Sequence, residues 1–196
     1  MIEHMDNRSF DSVESMNEFM IDQWNKKVRR NDEVVVLGDF AIGKGPAVNE
    51  LLGKLNGRKF LIIGNHDKMF LDDKEFVKEG FVWIKHYARL NDNRRGVILS
   101  HYPIMCYDGQ YRWDVNGNPS RYMLYGHVHD TRDEKRINEF INITRNDTYT
   151  NRDGIIKNIP CNMINCFCMF SNYEPLTLDE WIEVDAARRK MLNENR

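Results

Sequence analysis

Phe60-Leu61-Ile62-Ile63-Gly64-Asn65-His66-Asp67 is the stretch on which the reading of this chain turns. An apolar run of strand length stops at a glycine, and an amide, an imidazole and a carboxylate follow at once. A buried strand has no packing use for such groups at its end. The same layout occurs three more times: Val34-Val35-Val36-Leu37 runs into Gly38-Asp39, Val97-Ile98-Leu99 into Ser100-His101, and Tyr122-Met123-Leu124-Tyr125 into Gly126-His127-Val128-His129. Four such endings predict four strands whose carboxyl ends meet at one place, and the side chains there are of the kind that bind metal.

Helical patterns separate these runs. Val13, Met16, Met20, Trp24 and Val28 recur at helical spacing, with Asp11 as the expected cap and Glu14 completing a capping box. Pro46 opens a second helix that carries Val48, Leu51, Leu52 and Leu55 on one face and ends at Asn56-Gly57. Residues 72–79 read as a short helix, 81–84 as a strand, 105–121 as a loop, 161–170 as a last strand and 178–192 as a closing helix. Residues 130–160 are polar with weak periodicity and read as a hairpin or an excursion, with Arg132-Asp133-Glu134-Lys135-Arg136 as a solvated face. Strands alternating with helices predict an α/β fold, and open α/β sheets bind ligands at the carboxyl ends of their strands.

Composition narrows the function classes. The 196 residues fit one domain over 1–196, and 41% hydrophobic with 30% charged residues is ordinary for a globular chain. A net charge of −2 makes no basic field to hold nucleic acid, although a cation site would supply positive charge of its own. No apolar stretch approaches the ~20 residues that span a bilayer, and the first residues lack the apolar core of a signal peptide. The expected location is cytoplasmic, with no membrane partner. Cys106, Cys161, Cys166 and Cys168 are then free thiols, and the last three read as buried strand residues because their spacing matches no zinc pattern.

Asp39, Asn65, His101, His127 and His129 form a mixed oxygen and nitrogen donor set, suited to Mn, Fe, Zn or Ni rather than to a thiolate-seeking ion. A carboxylate such as Asp39 can face two cations. Paired cations clamp the attacking and leaving oxygens of a phosphoryl transfer and acidify water. His66, placed beside Asn65 without being needed as a donor to metal, suits protonation of a leaving alkoxide. Asp67 could orient His66 or its loop. In an extended stretch His127 and His129 point to one side, so each could meet a different ion.

Taken in order, Gly38-Asp39, Gly64-Asn65-His66-Asp67, Ser100-His101-Tyr102-Pro103 and Gly126-His127-Val128-His129 resemble the calcineurin-like metallophosphoesterases, in particular their small bacterial and phage single-domain branch. The resemblance extends from Asn7-Arg8-Ser9-Phe10 to Asn172-Tyr173-Glu174-Pro175. It implies a four-layer α/β/β/α sandwich and two divalent metal ions. Asp39 would bridge the ions, Asn65, His101 and His127 would complete one site, His129 would belong to the other, and His66 would donate the proton.

One part of the family pattern is missing. The resemblance implies a first strand ending in Asp-x-His, which supplies two donors to the second metal, and the chain as written has none; His4 is no replacement. Either the written start lies downstream of the natural one or the chain is naturally short, and the intact later motifs favour the former. A missing strand leaves exposed edges on its neighbours. The His129 site would keep fewer than the three protein donors usual for an open catalytic site, so weak occupancy is expected there. The expected activity is hydrolysis of a phosphomonoester or phosphodiester by a metal-activated hydroxide. The rivals are a non-catalytic metal-binding scaffold and a nuclease-type phosphodiesterase.

Overall fold

The four apolar runs become strands because each is short, β-branched or aromatic, and bounded by glycine or serine. A computed structural model describes residue 6 and residues 8–194; His4 and Asn7 lie outside the described residues. The elements are α1 (Val13–Lys27), β1 (Glu33–Val36), α2 (Gly45–Lys54), β2 (Arg58–Ile62), α3 (Lys68–Leu71), β3 (Ile84–Lys85), β4 (Tyr87–Asp92), β5 (Arg95–Ser100), β6 (Arg121–Tyr125), α4 (Arg132–Asn146), β7 (Thr148–Thr150), β8 (Ile156–Asn158), β9 (Met163–Asn165) and α5 (Leu178–Glu194). Two single-turn 3-10 helices lie at Lys78–Gly80 and Cys168–Ser171.

Two sheets carry the fold. One is parallel throughout, in the order β1-β2-β3; the other runs β4-β5-β6-β9, with β4 antiparallel to β5 and the remaining pairs parallel. The runs that end in Asp39 and Asn65 lie in the first sheet and those that end in His101 and His127 in the second. The cores give the layering. Val48 and Leu52 of α2 pack with Leu61 on one side of the parallel sheet. Ile62 meets Leu99, Leu124 and Trp181 in the space between the sheets. Ile98 and Met123 face Ile141 of α4 on the far side. The order helix, sheet, sheet, helix is the four-layer sandwich expected from the resemblance. Among the described residues no helix is long and apolar enough to cross a membrane.

Several local expectations are corrected. Ser12, not Asp11, caps α1, and its box partner is Ser15 rather than Glu14: the Ser15 amide donates to Ser12 Oγ at 3.0 Å and the Ser12 amide to Ser15 Oγ at 3.2 Å. Residues 72–79 form no continuous helix. Asp73 instead spends its carboxylate on the amides of Gly45 and Glu75, each at 3.0 Å, the local competition that keeps Asp out of helix interiors. Strand β4 was not foreseen, because Ala88 is its one buried residue. Residues 132–146 form α4, and β7 and β8 make a separate hairpin. The helix was hidden because its buried face is Glu134, Asn138, Ile141 and Thr144, mostly polar. Glu134 is not solvated: it is 2% exposed and accepts from the Tyr125 hydroxyl at 2.9 Å.

Beside β1 the packing is open. A cavity of about 1800 Å3 lies against the edge of β1 that does not pair with β2, and residues 34–36 are only half-buried. The cavity reaches up to Asp39 and His129.

Candidate metal centre

Two close backbone approaches build the site. Gly38, at φ +89°, ends the β1 run, and a Cβ there would lie 2.4 Å from His101 Nδ1 and 2.8 Å from the Gly64 Cα. A Cβ on Gly64 would lie 2.3 Å from the Asp39 amide nitrogen. The loops after β1 and β2 therefore touch through their backbones, and only glycine fits at either position. Asp67 pins them together. Its fully buried carboxylate accepts from the amides of Asp39 at 3.0 Å, Gly64 at 2.8 Å and Phe40 at 2.7 Å. Burial pushes the Asp67 carboxyl up, against the pull of those amides. Asp67 thus staples the loops, and its carboxylate makes no hydrogen bond to the His66 ring.

Asp39 has φ +53°, His127 +60° and His129 +48°. Left-handed backbone at non-glycine residues costs of order 1–3 kcal/mol each and is kept where surrounding structure enforces it. Here the cost holds three polar side chains at the sheet ends.

His101 is the hub. Its Nδ1 lies 2.7 Å from the Leu37 carbonyl, which can only accept, so Nδ1 carries a hydrogen. Nε2 then faces Asp39 Oδ2 at 3.3 Å, Asn65 Oδ1 at 3.1 Å and His127 Nδ1 at 3.2 Å. In the neutral ring this nitrogen presents a lone pair to two acceptor oxygens, a repulsive arrangement that a proton or a cation would relieve. Burial pulls the His101 pKa down, but the bonds to Asp39 and to the Leu37 carbonyl outweigh it and the net shift is upward. Burial likewise opposes the Asp39 charge, and the His101 ring and the His66 amide, the latter 2.8 Å from Oδ1, win and lower its pKa. His127 is shifted down, by burial first and then by His101. Donor atoms of Asp39, His101 and His127 all lie within 4.8 Å of one another, and the Asn65 oxygen joins them through His101. Two imidazoles, a carboxylate and an amide oxygen fit a borderline divalent cation.

His129 lies outside that group. Its Nδ1 is 2.7 Å from Asp6 Oδ1, its ring stacks on Phe167 at 4.4 Å, and its carbonyl accepts from Asn165 Nδ2 at 2.8 Å. Asp6 also pairs with Arg8 at 2.8 Å. Sequence reasoning missed Asp6, which sits in no strand or motif. It also left out Tyr102, whose ring is 4.4 Å from His127; its place directly after His101 was the available signal. The ring of His66 is exposed at the mouth of the site. The thiols of Cys161, Cys166 and Cys168 are all raised, chiefly by burial, and none takes part.

Comparison with known proteins gives the family and the fold. The family model described as calcineurin-like phosphoesterase matches residues 7–181. The uncharacterized protein MJ1445 of Methanocaldococcus jannaschii is 35% identical over 125 residues, which are 63% of this chain and 58% of that protein. The Gene 66 protein of Mycobacterium phage L5 is 28% identical over 139 residues, 61% of this chain and 67% of the phage protein. The crystal structure of AQ665, a protein of unknown function from Aquifex aeolicus, superposes with a TM-score of 0.58 at 24% identity, covering 88% of this chain and 87% of that one; it is similar in fold.

Proposed function

We propose a cation-dependent phosphoester hydrolase from one premise, that the chain belongs to the calcineurin-like phosphoesterase family. The observation that carries the reading is the convergence of Asp39, Asn65 and His127 on the Nε2 of His101. These four residues would hold a divalent cation of the Mn, Fe, Zn or Ni class, and His129 with Asp39 would offer a poorer second position. Such a cation, when bound, supplies Lewis acidity toward the phosphoryl oxygens and toward water.

The chain's own residues do the rest. The Leu37 carbonyl fixes the His101 ring so that Nε2 faces Asp39, Asn65 and His127, the residues that would hold the cation. The Asp67 staple keeps the Asp39 and Asn65 loops in register. His66, exposed beside Asn65, donates its proton to the leaving oxygen, and its backbone amide orients Asp39 whatever its ring does. The substrate is a phosphomonoester or phosphodiester, and the place of action is the cytoplasm.

The test is calorimetric titration of Mn2+ into the protein, paired with hydrolysis of p-nitrophenyl phosphate and of its bis ester. Binding and turnover should both appear, and Asp39→Asn should weaken cation binding at least about tenfold. Failure to bind a cation would remove the site. Binding without hydrolysis of either ester would favour the scaffold.

A further inference from the structure

The β7–β8 hairpin and the long loop before β6 meet in a second hollow, of about 400 Å3, that shares no residue with the metal centre. Its walls include Tyr111, Arg112 and Trp113 from the loop, Tyr149 from β7, Arg152 from the hairpin turn and Lys157 from β8, and no carboxylate lines it. Three aromatic rings and three cations thus share one small surface, in a chain whose net charge is −2.

The rings are held by their polar ends and neighbours. The Tyr149 hydroxyl donates to the Tyr111 carbonyl at 2.8 Å, and Trp113 Nε1 donates to the Asn158 carbonyl at 3.0 Å. The Tyr111 and Tyr149 rings meet edge to face at 5.4 Å, and Tyr111 is 48% exposed. A half-exposed ring already fixed in place offers its surface to another π system at little cost in ordering. The cations are free. Among the described residues Arg112, Arg152 and Lys157 make no ion pair. The nearby carboxylates are engaged with the backbone or with an amide. Asp114 accepts from the amides of Asn116 and Asn118 at 2.9 and 2.8 Å, and Asp153 from Asn151 Nδ2 at 3.3 Å. A Cβ on Gly109 would lie 3.1 Å from Arg112 Cδ and 2.9 Å from Arg121 Cγ, so a fourth cation stands beside the first. Gathered like charges repel one another, and an anion relieves them.

The pairing of rings with cations selects the ligand. An acidic peptide would use the cations and leave the rings bare, and an apolar ligand would do the reverse. A nucleotide brings a phosphate and an aromatic base together, and sites of roughly 300–1,000 Å3 hold one small ligand. Positive charge on two separate segments, with Arg112 and Arg152 exposed, suits a chain of phosphates better than a single one. In a duplex the base faces are already stacked, so the rings call for an unpaired strand.

We propose that this hollow is a docking site for single-stranded nucleic acid: one base stacks on the aromatic rings, and the phosphates on either side meet Arg112, Arg152 and Lys157. The Ser120 amide donates to the Arg112 carbonyl at 3.1 Å, which sets the hollow at the amino end of β6, whereas His127 follows its carboxyl end. The five residues of β6 put roughly 17 Å of strand between the two. The inference goes beyond the hydrolase reading and does not rest on it.

The test is fluorescence anisotropy of a labelled strand of twelve thymidines with the full chain in EDTA, which keeps divalent cations from the metal centre. Saturable binding is expected, at least about fivefold tighter than that of an abasic strand of the same length or of a duplex. Three phosphate contacts predict a slope of about −2 in log affinity against log salt. Tyr111→Ala should weaken the thymidine strand at least about fivefold and leave the abasic strand unchanged. Arg152→Ala should weaken both strands and make the slope shallower by about 0.7. If a variant does not fold, the abasic comparison and the slope decide. A strand of twelve uridines, run in parallel, assigns the site to RNA or DNA by the tighter binding. No saturable binding, equal binding of the abasic strand, or full affinity in both variants would overturn the proposal. So would displacement by thymidine monophosphate as effective per nucleotide as by the unlabelled strand, because the hollow would then take a free nucleotide. Tighter binding of polyglutamate would overturn it in favour of an acidic protein partner.

Discussion

His66 contributes to the site in two separable ways. Its amide bonds Asp39 Oδ1, while its ring stands exposed at the mouth. His66→Ala keeps the first and removes the second, so cation content should not change. If the ring is the proton donor, turnover of an alkyl phosphoester with a poor leaving group should fall about 10²–10⁴-fold while an activated aryl ester loses little. An equal loss on both esters would remove the ring from that role. Gly38 and Gly64 work at the same scale. Each makes room for the neighbouring loop, and the sequence shows them only as glycines after apolar runs; the backbone contact behind them appears when both strands are in place.

The elements show what a single sequence discloses and what it hides. Strands β1, β2, β5 and β6 were legible because their apolar runs are dense and punctuated by glycine or serine. The same punctuation marked Asp39, Asn65, His101 and His127. Helix α4 was not legible, since a buried face of Glu134, Asn138 and Thr144 reads as solvated until its partners are known. Tyr125 on β6 is only 9 residues from Glu134, but the other partners, Arg188 and Arg189, come from α5, with Arg189 51 residues from Asn138. Arg189 alone donates to Asp185 at 2.7 Å, to Asn138 at 2.7 Å and to the Met163 carbonyl at 3.1 Å, tying α4, α5 and β9 together. The partner of His129 was hidden for a similar reason, because the acid beside its Nδ1 is Asp6, 123 residues away. The Arg189 clamp predicts that Arg189→Met, which leaves Asp185 without its cation, lowers unfolding stability by roughly 3 kcal/mol in urea. A change within about 0.5 kcal/mol would show that the three elements hold without it.

In the whole molecule, cation binding and folding are linked through His101. Without a cation, its raised pKa contributes stability that is complete below about pH 6.5 and is lost as pH rises through the higher folded value. A cation takes the proton's place, so the stability it adds should grow with pH across that window. At a hundred times its Kd the addition is about 2.7 kcal/mol, or roughly 5–10 °C in Tm for a domain of this size. Thermal melts with and without Mn2+ at pH 6 and pH 8 measure it. A smaller shift at the higher pH would contradict the assignment of His101 as the group that exchanges its proton.

The Leu37 carbonyl belongs to one sheet and the His101 ring to the other, and their 2.7 Å bond spans the gap between the layers. The imidazole is thus a strut across the sandwich. If the layers slide or spread, the ring must swivel or let go. Its Nδ1 proton resonance is therefore a gauge of sheet separation, readable in solution before any chemistry takes place.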